Sequence, residues 1–174
     1  MLETERLLLR KPRLEDVDDL LEFAGDGEVM QWIGGEPGGR EAAVEHVERW
    51  LARWEANDVG QFVVLLGERI IGRVGLLVWD SRVWDTSSYD KAGAAAENEL
   101  GWAISSAYWG HGYATEAALA ARTWAYEERG VERLISLIDP RNVRSIRVAD
   151  KLGAEPEQLV TTVYGPLLAW LHPR

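Results

Sequence analysis

One stretch constrains the fold more than any other. The strand pattern Glu99-Leu100-Gly101-Trp102-Ala103-Ile104 runs into a turn holding Gly110 and Gly112, and the turn opens an alanine-rich helix pattern from about Tyr113 to Arg129, stopped by Gly130. Glycines let a backbone approach a ligand closely and let amide N–H groups converge. The first N–H groups of a helix have no intrahelical partners and lie at the positive end of its dipole, which suits an anion such as a pyrophosphate. An ordinary strand–helix turn has the same outline, so the rest of the chain has to decide between the two.

Glu5 to Pro12 reads as a first strand, ended by Pro12. Val17, Leu20, Leu21 and Ala24 recur at helical spacing, with Glu15 and Asp16 in the first turn and Gly25 and Gly27 as the stop. Residues 34–39, Gly-Gly-Glu-Pro-Gly-Gly, read as a loop. From Arg40 to Asn57, Val44, Val47, Leu51 and Trp54 share one face of a second helix. Residues 61–66 and 69–79 are apolar and β-branched, and the Gly67-Glu68 connection predicts a hairpin. Residues 80–96 show no period and read as an inserted loop. After the central unit come a strand over 131–139, a helix from about Asn142 to Leu152 with Gly153 just past its end, and a tail over 158–171. That tail reads as a strand or short hairpin interrupted by Gly165-Pro166. There is no internal repeat and no linker. The order predicts one domain over 1–174 of the α+β (α/β three-layer) class, a mixed, mostly antiparallel central sheet flanked by helices.

Composition removes several function classes. The chain has no cysteine, which excludes disulfides, thiolate metal sites and any mechanism that parks a group on a protein thiol. No run approaches the roughly 18 apolar residues of a membrane span, and the first ten residues carry two acids and two arginines, unlike a secretory segment. A cytoplasmic location is the expectation. The net charge of −10 argues against a general nucleic-acid binder. Its distribution is uneven: residues 1–100 hold 11 Lys+Arg against 21 Asp+Glu, and residues 101–174 hold 8 of each. Within 133–151, Arg133, Arg141, Arg144, Arg147 and Lys151 outnumber Asp139 and Asp150. An acidic body with a basic segment suits an anion at one place and a cation at another, although solvated faces give the same pattern.

Named nucleotide motifs fit poorly. A dinucleotide fingerprint needs a third small residue where Thr115 stands, no Gly-Lys-Ser/Thr exists for a phosphate loop, and there is no G-x-S-x-G elbow. His46, His111 and His172 are too scattered for a metal motif, so no metal is expected.

The run Trp109-Gly110-His111-Gly112-Tyr113-Ala114 resembles the coenzyme A pyrophosphate loop of the GNAT superfamily of N-acetyltransferases, whose pattern is Q/R-x-x-G-x-G/A. Trp109 stands in the Q/R place, Gly112 in that of the first glycine and Ala114 in the last. Glu99 to Trp102 followed by Trp109 to Ala117 is similar to the E-L-G-Y/W and W-G-x-G-Y-A-T-E-A of the branch resembling ribosomal-protein N-terminal acetyltransferases. Residues 139–153 are similar to that branch's N-x-x-S…K-L-G helix, and Thr4 to Arg10 to its first strand. The resemblance covers most of the chain and is specific from Glu99 to Gly153. It implies a GNAT-like acyl-CoA N-acyltransferase fold, acetyl-CoA as cosubstrate, and an amine acceptor attacking directly in a ternary complex. The implied CoA contacts are Trp109, Gly110, His111, Gly112, Tyr113, Ala114, Thr115, Asn142, Ser145 and Arg147, with Arg144 and Lys151 near the phosphates. The chain departs from the superfamily in two places. Ala149 stands where many members carry a general-acid tyrosine, and about ten residues between Gly153 and Tyr164 imply a shortened final hairpin.

Such chemistry needs a base to deprotonate an ammonium and a proton donor for the leaving thiolate. The base candidate is Glu99, with Glu97 as rival; the donor candidates are Ser145 first and Tyr164 second. Trp32, Trp79 and Trp84 lie in or beside the loops around the acceptor, although core packing explains each as well. The acidic first half leads to the expectation of a cationic acceptor, a protein N-terminus or a small amine, taken by a monomer or homodimer with no nucleic-acid or membrane partner. A non-catalytic acyl-CoA-binding module is the alternative, favoured by Ala149, and an NAD-dependent enzyme is disfavoured by Thr115.

Overall fold

Apolar runs rich in β-branched residues make the middle of this chain a sheet, and the helices take their places from the two faces that sheet presents. The computed structural model describes residues 1–174. In chain order the elements are β1 (Leu2–Glu3), β2 (Leu7–Arg10), α1 (Leu21–Ala24), α2 (Gly27–Ile33), α3 (Arg40–Asn57), β3 (Gln61–Leu66), β4 (Arg69–Asp80), β5 (Asp85–Thr86), α4 (Tyr89–Ala92), β6 (Ala96–Ile104), α5 (Tyr113–Glu127), β7 (Leu134–Ile138), α6 (Val143–Lys151), β8 (Glu155–Thr162) and β9 (Gly165–Leu171). The strands form one sheet in the order β1-β2-β3-β4-β6-β7-β9-β8, with β5 added beside β4. Every pairing is antiparallel except β6 with β7. No helix is long and apolar enough to cross a membrane.

The three layers follow from which side chains each face offers. Val63, Leu65 and Ala103 meet Phe23, Met30, Val47 and Trp50 from α1–α3 on one side. Leu100, Ile71 and Leu76 meet Ala117, Ala118, Ala121 and Trp124 of α5 on the other. Four of the five buried α5 residues are alanines, so the helix axis comes close to the sheet. A third cluster, Ile138, Ala149, Ala154 and Trp170, seats α6 against β7 and β9.

Several expectations are corrected. The helix expected over residues 17–24 is a 3-10 turn over Leu14–Val17 followed by the single turn of α1. Gly25 does end α1, but Gly27 begins a further helix: Asp26 accepts a hydrogen bond from the Glu28 N–H at 3.1 Å and so caps α2, which ends at Gly34 with φ +76. On α3 the buried stripe is Ala43, Val47, Trp50 and Trp54, with Val44 and Leu51 at its edge. Residues 80–96 are not a plain loop. They hold β5, α4 and a 3-10 turn, and β6 starts at Ala96 because Ala96 pairs with Asp80 of β4. The strand expected over 131–139 is shorter, and the tail is a hairpin that begins before residue 158, pairing Glu155 with Leu171 through to Thr162 with Gly165. Its turn is at Val163-Tyr164; Gly165 and Pro166 begin β9.

Candidate active site

The parallel pair β6/β7 carries only two registered partners, Asn98 with Leu134 and Glu99 with Ile135, although the strands run on to Ile104 and Ile138. Beyond Glu99 the two strands diverge. Ser136 closes the base of the split by donating from Oγ to the Leu100 carbonyl (2.6 Å), with His172 Nε2 at 2.8 Å from the same oxygen. Burial lowers the His172 pKa to about 4, so the ring is neutral. A cavity of about 1010 Å³ opens at the split and continues over the Gly110–Thr115 turn on one side and along α3 on the other.

On the turn side, Gly110 (φ +83) and Gly112 (φ +82) take left-handed backbone, the second as N-cap of α5 with no side chain capping the helix. The first amides of α5 therefore have no internal acceptor, at the positive end of a 15-residue helix. Trp109 is fixed by donation from its indole N–H to the Ile104 carbonyl (2.6 Å), and the Arg144 guanidinium lies 4.2 Å over its ring. The turn is also clamped from the first strand region. Glu116 accepts from Thr4 Oγ1 (2.6 Å), Arg6 N (2.9 Å) and Arg6 Nε (2.7 Å), and Arg6 donates to the His111 carbonyl (3.0 Å). The one acid in the first turn of α5 is thus neutralised by Arg6 rather than turned on an incoming anion. Thr4, Arg6 and Glu116 were visible as parts of sequence patterns but had no assigned role.

Of the expected CoA contacts, Trp109, Gly110, Gly112, Tyr113, Ala114, Thr115, Asn142, Ser145 and Arg147 line the cavity together with Arg144 and Lys151. His111 does not: it is exposed, stacked on Tyr113 at 5.6 Å, with Nδ1 2.9 Å from the Trp109 carbonyl. Asn142 caps α6 by accepting from the Ser145 N–H (3.1 Å), which leaves the Ser145 hydroxyl without a protein partner. Arg133 and Arg141 drop out of the basic segment because each is paired, with Glu97 and Glu157 and with Asp139 respectively. The same pairing removes Glu97 as a base, and it lies outside the cavity.

Glu99 sits at the mouth of the split, 8% exposed. Burial raises its pKa above the ordinary carboxylate range; the Trp79 indole N–H, donating at 2.5 Å, the Arg73 charge and the Leu137 backbone N–H oppose that rise. Trp79 is thus both core and site, and Trp32 also lines the cavity, whereas Trp84 does not. Tyr164, 60% exposed, packs its ring over Gly34 and stands edge-on to Trp79 at 6.4 Å. Tyr164 thus lines the cavity beside Gly34 and Trp79, and Ser145 lines it from α6.

The α3 wall of the cavity is not uniformly acidic. Glu41, Glu45, Arg49 and Arg53 follow one another at four-residue steps along α3, so they form one row that changes sign from the outer end inward. Arg73 of β4 joins the basic end. The premise of a plain cationic acceptor, an acidic wall, therefore holds only at the rim.

Comparison with known proteins shows the family and the fold. The model of the acetyltransferase (GNAT) domain family matches residues 6–155. The uncharacterised N-acetyltransferase YnaD of Bacillus subtilis (strain 168) is 27% identical over 156 residues, 88% of this chain and 82% of YnaD. Among solved structures, an acetyltransferase from Agrobacterium tumefaciens str. C58 superposes with a TM-score of 0.78 at 27% identity, over 99% of this chain and 94% of that one. AAC(6')-Ib in complex with ribostamycin and coenzyme A superposes with a TM-score of 0.77 at 19% identity, over 98% and 94%.

Proposed function

This chain belongs to the GNAT acetyltransferase family, and from that premise we propose that it moves the acetyl group of acetyl-CoA to a primary amine by direct attack in a ternary complex. The observation that carries the reading is the meeting, in one cavity, of an uncapped helix N-terminus and a buried carboxylate at a strand split. The α5 amides, with Arg144, Arg147 and Lys151 close by, suit the pyrophosphate; the split between β6 and β7 suits the pantetheine arm, because diverging strands leave backbone groups free to bond it. That the similarly folded AAC(6')-Ib takes coenzyme A is consistent with this use of the fold.

In the reaction, Glu99 takes a proton from the acceptor ammonium, directly or through a water. The freed amine attacks the thioester carbonyl, the new N–C bond forms, and the C–S bond breaks. Ser145 supplies a proton to the departing thiolate and regains one from the acetylated nitrogen through solvent. Ala149 cannot take this part, being buried among Ile138, Ala154 and Trp170 with no proton to give. Tyr164 contributes to the acceptor wall. The acceptor is a protein N-terminus or a small amine, and the arginines at the inner end of α3 argue against a purely cationic one. The test is release of CoA thiol from acetyl-CoA when pooled primary amines are supplied: wild type releases thiol with formation of an acetylated amine, and Glu99→Gln does not. Tight acetyl-CoA binding with no acetylated product from any amine would instead make the chain a binding module.

A further inference from the structure

Three of the five buried side-chain nitrogen and oxygen atoms that lack a hydrogen-bond partner in this protein gather at one place: Arg73 Nη1, Gln61 Nε2 and Gln61 Oε1. Buried polar groups are nearly always paired, because an unpaired one costs its full desolvation energy. The place is Gly101. From the point where a Cβ on Gly101 would stand, Arg73 Nη1 is 3.5 Å away, Gln61 Nε2 3.6 Å and Glu99 Oε1 3.8 Å. Gly101 has no left-handed backbone to explain the glycine, so its missing side chain simply leaves room among three polar groups. Arg53 and Arg73 both line the cavity here, and neither has a carboxylate within ion-pair distance; the protein's eight salt bridges are all made by seven other arginines. A guanidinium presents a planar fork that matches a carboxylate, and a neighbouring amide N–H extends it.

Resting on the acetyl-transfer reading above, we propose that the acceptor is a small primary amine that carries its own carboxylate, an amino acid rather than a polyamine, with the carboxylate held by Arg73, Arg53 and Gln61 and the amine presented to Glu99. The closeness of the arginine and glutamate ends of this cluster limits the separation of the two groups to a few bonds, as in an α- or β-amino acid. The carboxylate would also supply the missing counter-charge. Burial first and then the Arg53 charge lower the Arg73 pKa to about 10, with Glu99 alone opposing them. Arg73 and Gln61 thereby act as specificity residues.

The experiment compares amino acids with their own primary amides, which keep amine and side chain but lose the carboxylate charge. Rates are read as CoA thiol release and acetylated product. Wild type is expected to favour the acid over its amide by tenfold or more in kcat/KM. Arg73→Gln also removes a charge that favours ionised Glu99, so it is expected to slow acids and amides alike at low pH; on the high-pH plateau it is expected to bring the acid-to-amide ratio towards one by raising KM for the acids, with the Kd for acetyl-CoA changed less than about threefold. A wild-type preference for amides or polyamines, or an Arg73→Gln variant that slows both members of every pair equally on that plateau, would overturn the proposal while leaving acetyl transfer standing. Acetyl-CoA binding with no amine acetylated at all would overturn the reading it rests on and the proposal with it. The wild-type preference is measurable even if Arg73→Gln fails to fold.

Discussion

A carboxylate has to be ionised before it can take a proton, and Glu99 stands between opposed influences on that ionisation. Burial pushes its pKa up, while the Trp79 indole N–H and the Arg73 guanidinium favour the charged form. The balance is useful: a base poised above the ordinary carboxylate range is closer in affinity to the amine proton it must accept. Removing the indole donor shifts the balance in a known direction. Trp79→Phe keeps an aromatic ring against Tyr164 but gives up the bond to Oε2, so the Glu99 pKa rises further. The acid limb of kcat/KM against pH is expected to move to higher pH, with the plateau at high pH within a few-fold of wild type. An unmoved limb would mean that Glu99 does not set it.

At the scale of elements, the site depends on a turn, a helix and a strand held in one arrangement by residues far apart in sequence. Gly112 at φ +82 aims the first α5 amides outward, and a Cβ there would meet Arg6 Nη2 at 3.6 Å, so space is adequate but the backbone is not. Gly112→Ala is expected to cost roughly 1–2 kcal/mol of stability through the left-handed backbone. It should also raise the acetyl-CoA Kd about tenfold, near 1.4 kcal/mol, in calorimetry. Unchanged affinity in a folded variant would move the pyrophosphate elsewhere. This turn was the most legible part of the chain, because glycine spacing between a strand and a helix carries its own physical reason. The regions that escaped are those where neighbours decide. Asp26 starts a second helix directly after the Gly25 stop, and pairing with β4 drew the weak β-formers Ala96 and Glu97 into a strand. Glu97 and Glu99 are told apart by partners far off in sequence: Arg133, 36 residues beyond Glu97, pairs with it, and Trp79, 20 residues before Glu99, bonds that one within the cavity. The Arg73–Gln61 cluster did leave a trace: Arg73 is the only charged residue between Arg69 and Asp80, in an otherwise apolar strand that is paired on both sides.

Over the whole molecule, the sheet is continuous except at the β6/β7 split, and the chain's last residues close the back of that split through His172. Neutral His172 bonds Ser136, and its folded pKa near 4 lies below the ordinary value of 6.5. The unfolded state therefore binds the proton first. Stability from this group is complete above about pH 6.5 and is lost as pH falls towards 4, by about 3 kcal/mol at most. His46, also held near 4 by burial and its arginine neighbours, acts in the same direction. Urea midpoints measured from pH 7 down to pH 4.5 are expected to fall less steeply for His172→Gln than for wild type, and parallel slopes would contradict this. Fold, split and turn together serve one claim, that Glu99 drives acetyl transfer from acetyl-CoA to an amine. Its most direct test is the pH profile of kcat/KM for wild type and Glu99→Gln on one acceptor, with acetyl-CoA saturating. The account predicts a loss of roughly 10²–10⁴ in Glu99→Gln together with disappearance of the acid limb, and a variant that kept both the wild-type rate and the limb would contradict it.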